Sequence, residues 1–381
     1  MRFVITSVAL LLTGCLACPP GAFAQGEVED APQAANGEDA KTDESDKGRF
    51  LALPIFITEP AIGEGLGAAL VYFHGAPNDS VSRLETGRSI KAKTREQKPP
   101  PTATGVFAAY TNSDTHAVGI GHARTFKDDS YRMTAAAADA VVNATYYLGD
   151  TPFKFSADGA LLFGNLKRRI GESNVFVGIS ASFVDADAAF GDDAADAGLF
   201  DFGFRDVGIA GDLIYDSRDD GMMPSSGQLV DLTAWKYDDA IGGDFDYWSA
   251  TFKVNSFHKL GEKFVLGLRF EVSAADGEVP FYAEPFVPLR GIPALRYSGE
   301  AAGVVETELR YQFAKRWAVL GFVGKGFVNT GSGFEDTDDN IDAYGIGLRF
   351  QALKVQNIWL GLDLARGPEE DAFYVQMTHP W

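Results

Sequence analysis

A transmembrane antiparallel β-barrel of about sixteen strands is the fold class this sequence predicts, and three observations predict it. Past the N-terminus no run of about eighteen apolar residues occurs, so no helical span is expected. In its place, segments of roughly ten residues alternate apolar with polar or small side chains, the period of a strand whose two faces meet different solvents. The chain also finishes on such a segment, Phe373 to Trp381.

The alternation is clearest from Lys263 to Ser273. Phe264, Leu266, Leu268, Phe270 and Val272 fall on one face, with Gly267, Arg269, Glu271 and Ser273 on the other. From Val305 to Phe313, Val305, Leu309, Tyr311 and Phe313 oppose Glu306, Glu308, Arg310 and Gln312. Ile358, Leu360, Leu362 and Leu364 oppose Trp359, Gly361, Asp363 and Ala365. A soluble sandwich alternates as well, with its apolar face in a core. In a membrane barrel the apolar face meets lipid and the polar face a wet lumen, which makes Arg269, Glu271, Arg310, Arg349 and Asp363 lumen charges.

The connections favour the barrel. One set is short: Lys127 to Ser130, Lys259 to Glu262, Ala314 to Arg316, and Leu353 to Gln356. The other is mostly longer and acidic: Asp185 to Asp201, Asp238 to Asp246, Asn329 to Asp342, and Arg366 to Asp371. Short periplasmic turns and longer external loops alternate in phase when both termini are periplasmic. Ala76 to Thr102 breaks the pattern, being long, basic and ended by Pro99-Pro100-Pro101 on the periplasmic side. It hides two further strands or is a flexible excursion.

Ahead of the barrel, Arg2 and the apolar run Phe3 to Leu16 read as an export signal. Cleavage after Ala22-Phe23-Ala24 makes residues 1–24 a signal peptide; Leu12-Thr13-Gly14-Cys15 offers a competing lipoprotein site. Residues 25–48 are acidic and poor in bulky apolar side chains, the composition of a disordered periplasmic tail, leaving 49–381 for the barrel. Cys15 and Cys18 are the chain's two cysteines, so thiol and disulfide chemistry is absent beyond them. The net charge of −20 excludes a nucleic-acid partner, since phosphate binding needs a basic face. An exported barrel of this kind is expected in a Gram-negative outer membrane, against its lipid and lipopolysaccharide.

In the C-terminal half several segments form a series. Tyr215-Asp216-Ser217-Arg218-Asp219-Asp220 precedes Pro224-Ser225-Ser226-Gly227; then come Leu289-Arg290-Gly291-Ile292, Glu308-Leu309-Arg310-Tyr311, Gly345-Ile346-Gly347-Leu348-Arg349-Phe350 and Leu362-Asp363-Leu364-Ala365. Order and spacing resemble the BamA/TamA family of outer-membrane assembly barrels, the bacterial surface antigen family, here without its periplasmic POTRA repeats. The resemblance covers roughly Tyr215 to Trp381. It implies a long sixth external loop folded into the lumen, with Arg290 of its Leu289-Arg290-Gly291-Ile292 motif paired to Glu308 and neighbouring Glu306. Guanidinium and carboxylate suit each other bidentately in a confined lumen. Two departures stand out: Ile292 replaces an aromatic, and Gly324 and Lys325 occupy the place of an acidic residue in the next strand. The terminal face Phe373, Val375, Met377 and Trp381 resembles the sorting signal read by the barrel-assembly machinery.

No enzyme is expected. His74, His116, His122, His258 and His379 lack metal-ligand spacing and read as rim or turn residues. No metal or cofactor is expected. Gly63 to Gly67 lacks the Lys-Ser/Thr of a phosphate loop, and Asp216 with Arg218 reads as a structural turn pair. No segment sets a Ser/His pair on one lipid-facing face. The acidic external loops read as solvated, with divalent-cation bridging of lipopolysaccharide as the alternative. The expected function is membrane-protein assembly or translocation, with unfolded outer-membrane proteins as clients. A weak seam between Leu51 to Thr58 and Phe373 to His379 would accept an added strand. The alternative is a passive pore or structural surface barrel.

Overall fold

The computed structural model describes residues 49–74, 102–127, 129–148, 151–191, 200–330, 341–353, 358–377 and 379–381. The expected signal peptide and acidic tail, and the interior of the Ala76 to Thr102 connection, lie outside the described residues.

Sixteen strands follow one another in a single sheet, each antiparallel to the next. They are β1 (Arg49–Glu59), β2 (Gly63–Phe73), β3 (Ala103–Thr111), β4 (His116–Phe126), β5 (Tyr131–Leu148), β6 (Thr151–Arg169), β7 (Val175–Phe190) and β8 (Phe200–Asp216). The second half comprises β9 (Gly227–Tyr237), β10 (Tyr247–Lys259), β11 (Phe264–Gly277), β12 (Ala301–Ala314), β13 (Trp317–Asn329), β14 (Asp342–Leu353), β15 (Ile358–Arg366) and β16 (Asp371–Met377).

Side-chain alternation builds the two faces. Leu66, Val118, Leu162, Ile179, Leu213, Val305, Ile346 and Leu364 are exposed on the outside of the ring. Their strand neighbours point inward. Glu306, Glu308 and Asp363 are fully enclosed, and Arg349 with them. An apolar exterior around charged interior groups reverses the soluble pattern and is the arrangement of a membrane barrel. The end that holds Arg49 and Trp381 is the periplasmic end, and the longest connection of the opposite end is 278–300.

Two features differ from the sequence reading. The connection expected over Asp185 to Asp201 spans only 191–199, because β7 and β8 run on past the hydrocarbon. Asp185 and Arg205 lie on their outward face and pair at 3.1 Å. A strand clear of the bilayer carries charge outside, and in sequence that looks like a loop. Second, the interior is not uniformly wet. Leu53, Ile55, Val71, Phe73 and Phe107 point inward and pack on Met222. The β8–β9 turn folds into the periplasmic mouth, where Met223 packs on Ala318 and Trp359 and the Pro224 carbonyl accepts from Arg310 at 2.7 Å.

The ring has one unladdered junction. β1 and β16 approach within 8 Å, but no β1–β16 pairing joins the described residues, whereas β15 pairs with β16 from Leu360↔Met377 to Arg366↔Asp371.

Candidate functional site: the sixth external loop in the lumen

Residues 278–300 connect β11 to β12 and form the sixth external connection. Much of this loop is buried: Tyr282, Ala283, Val287, Leu289, Arg290, Ile292, Ala294 and Leu295 all lie inside. Its first part packs on the wall. The Tyr282 ring stacks on Phe204 at 4.7 Å, and Phe281 meets Phe155 and Phe190 at 5.0 Å each. The Asp206 carboxylate accepts from Tyr247 at 2.8 Å and from Tyr282 at 3.4 Å.

The loop then presents Arg290 to the interior. Its Nε donates to Glu306 at 2.8 Å, Nη2 to Glu308 at 3.1 Å and Nη1 to Asp363 at 2.9 Å. The Phe322 ring closes the remaining face, 3.6 Å from the guanidinium carbon. One planar cation thus satisfies carboxylates on two strands, β12 and β15, a fork geometry lysine cannot supply. The network extends in three directions. Arg269 joins Glu306 at 3.3 Å and Glu271 at 2.9 Å. Arg349 shares Asp363 and reaches Gln376 of β16 at 3.2 Å. His379 meets Glu308 at 3.1 Å from the periplasmic side. Buried carboxylates of this kind persist only when cations compensate their lost hydration.

Glycine makes room for the loop. A Cβ on Gly324 would collide with Leu289, and one on Gly326 with Val287. The absent acidic residue of β13 therefore leaves space, and Asp363 of β15 provides the further carboxylate. Ile292 packs with Val304, Val328 and Ile341. Gly291 adopts φ +94 against the backbone of Arg366 and Gly367, a conformation and approach that favour glycine.

The last part of the loop reaches the seam. The Gly291 amide donates to the Tyr374 hydroxyl of β16 at 2.9 Å, and the Ala294 amide to Glu59 of β1 at 3.0 Å. Arg296 donates to Glu369 at 2.7 Å. Sequence reasoning missed Glu59, Phe322 and Tyr374, and missed Asp363 as an Arg290 partner.

The C-terminal residues depart from expectation. β16 ends at Met377, of which only the backbone is described, and Thr378 lies outside the described residues. Phe373 is exposed to the outside. Trp381 is not on that face: its ring stacks at 5.5 Å on Phe257 inside the barrel and lies over Gly267. His379, expected at a rim or turn, donates its amide to the Met222 carbonyl at 2.8 Å in the lumen. Pro380 has no amide for a ladder, so the outward alternation cannot be counted through it.

A nearly closed antiparallel sheet with an apolar exterior and a charged, loop-filled interior defines an outer-membrane barrel. Residues 165–352 match the Omp85 superfamily domain. The chain is thus an outer-membrane barrel that carries this Omp85 domain match over just under half of its length. Its fold is similar to BamA from Haemophilus ducreyi lacking POTRA domains 1-3, with a TM-score of 0.58 at 15% identity, over 88% of this chain and 70% of that one. It is similar to CdiB from Acinetobacter baumannii (TM-score 0.54, 11% identity, 87% of this chain and 59% of that one). For CdiB from Escherichia coli the TM-score is 0.57 at 9% identity, covering 87% and 62%. No curated protein sequence matches the chain.

Proposed function

We propose that this barrel inserts or translocates polypeptide, acting in membrane-protein assembly in the manner of the BamA/TamA type. The observation that carries the reading is the seam. Among the described residues β1 and β16 come together without a ladder, while every other neighbouring pair is laddered. An unpaired strand edge is a template for another strand, and β1 carries Pro54, which has no amide to donate. The sixth loop spans this junction through Glu59 and Tyr374, so its position is coupled to the state of the seam. Clients are then unfolded outer-membrane proteins, and the chain's own insertion uses the barrel-assembly machinery.

The test is site-specific photocrosslinking in liposomes. A photoreactive residue at Phe56, outward on β1, is expected to capture an unfolded barrel client through its terminal strand. One at Val118, outward on the laddered β4, is expected not to. Equal capture at both positions, or none at Phe56, would sink the reading.

A further inference from the structure

The lipid-facing wall carries a polar cluster that neither the lumen network nor the seam uses. At the periplasmic ends of β2, β3 and β4, the Thr104 hydroxyl lies 2.8 Å from His74 Nε2 and 2.8 Å from His122 Nδ1. The two imidazoles stand edge to face at 5.7 Å, with Tyr72 at 4.9 Å from His74. All face outward. Thr104 alternates in step with exposed Val106, His122 with exposed Val118 and Ile120, and His74 with exposed Leu70. The sequence hides this cluster because its members come from three strands, joined by the pairing Thr104↔His122 and Tyr72↔Thr104.

A hydroxyl has one proton, so Thr104 donates to one ring and accepts from the other. Each ring keeps a second nitrogen, His74 Nδ1 and His122 Nε2, outside that chain. Arg124 follows two residues along the same face of β4, is exposed, and lies 5.9 Å over Phe126. Lys127 and Arg168 flank it across Tyr131, at 5.0 and 5.9 Å from the ring. A basic rim on a chain of net charge −20 is a local concentration against the average. On the opposite wall the rim cation Arg316 is instead used internally, donating to the Gln351 and Ala352 carbonyls.

Polar groups facing hydrocarbon without partners are costly, so a cluster at the membrane edge calls for a polar occupant. The anions at that depth are lipid phosphates, flanked as usual by interfacial aromatics. We propose that His74, Thr104, His122 and Arg124 bind the phosphate of an anionic phospholipid headgroup in the periplasmic leaflet. Arg124 forks onto the phosphate oxygens, the ring that accepts from Thr104 donates its free N–H, and Tyr72 and Phe126 border the glycerol region.

Native mass spectrometry of the detergent-purified protein titrated with phosphatidylglycerol tests this. Arg124→Ala and the double variant His74→Ala/His122→Ala are expected to weaken lipid retention by about tenfold, as loss of charge-assisted hydrogen bonds implies. Thr104→Val, which keeps side-chain volume, is expected to weaken it in the same direction. Phosphatidylcholine should be retained less than phosphatidylglycerol, and inorganic phosphate should not displace bound lipid. The proposal is overturned if the variants retain lipid like the parent. Displacement by inorganic phosphate would also overturn it, making this a free-anion site, as would an equal loss in Lys315→Ala at the opposite rim.

Discussion

Two sides of this barrel are built differently, and one loop is fastened to both. β5 to β8 run for 18, 19, 16 and 17 residues and rise beyond the bilayer. Across the ring, β15, β16 and β1 have only 9, 7 and 11 residues, and among the described residues β16 and β1 share no ladder. The sixth loop meets the tall wall through stacked aromatics, Phe281 and Tyr282, and meets the seam through single hydrogen bonds to Tyr374 and Glu59. Aromatic burial is large and non-directional, so that anchor holds. The bond from the Gly291 amide to the Tyr374 hydroxyl is neutral, contributes only about 1 kcal/mol net and reforms readily. The loop is therefore fixed at one end and releasable at the other.

The largest expected effect comes from removing the group between the two ends. Arg290→Ala leaves Glu306, Glu308 and Asp363 enclosed with fewer cations, which costs about 3–5 kcal/mol. Arg290→Lys should recover only part of that, since it cannot contact two strands in one plane. The temperature at which the folded, fast-migrating gel band is lost reads both. An unchanged temperature in Arg290→Ala would mean the network does not fasten the loop. Next comes the wall anchor. Tyr282→Ala deletes a buried ring and is expected to cost about 3 kcal/mol on the same assay. If the wall anchor contributed no more than the seam bonds, the contrast between the two sides would fail.

Alternation along β11, β12 and β15 was readable from Phe264, Leu309 and Leu362, because lipid outside and charge inside impose a two-residue period. Arg290 with Glu306 and Glu308 was readable only through a series of family-like motifs. Asp363 was visible as a lumen charge but not as an Arg290 partner, since that contact depends on how far around the ring β15 stands from β12. Glu59 and Tyr374 left no trace because their partners are backbone amides, which every residue has. Asp185 was misread because outward charge on a strand above the membrane has the composition of a loop. The Thr104 cluster leaves no signal in any single segment, since its hydroxyl and rings meet only through strand pairing.

A smaller effect sharpens the seam side. Tyr374→Phe removes the acceptor of the Gly291 amide and is expected to cost about 1 kcal/mol, while leaving the wall contacts intact. Crosslinking of a client at Phe56 should rise more than the loss of thermal stability alone would imply, because the seam has lost one of its two ties to the loop. A variant with lowered stability and unchanged crosslinking would place the hydrogen bond outside seam control.

The smallest effect concerns the turn that enters the periplasmic mouth. Burial alone would raise the Asp219 carboxyl pKa, but bonds from the Ser225 hydroxyl and the Ser225 and Ser226 amides outweigh it, leaving the pKa below its ordinary value. A carboxylate depressed in the folded state stabilises above its unfolded pKa of about 4, and that contribution is lost as pH falls through the folded value. Asp219→Asn should therefore melt lower than the parent at neutral pH, with the gap narrowing as the pH drops below about 4. Melting curves of the two proteins across that range measure it. Since Met222 of the same turn packs on β1, a gap that stayed constant with pH would mean that this side of the seam is held by packing alone.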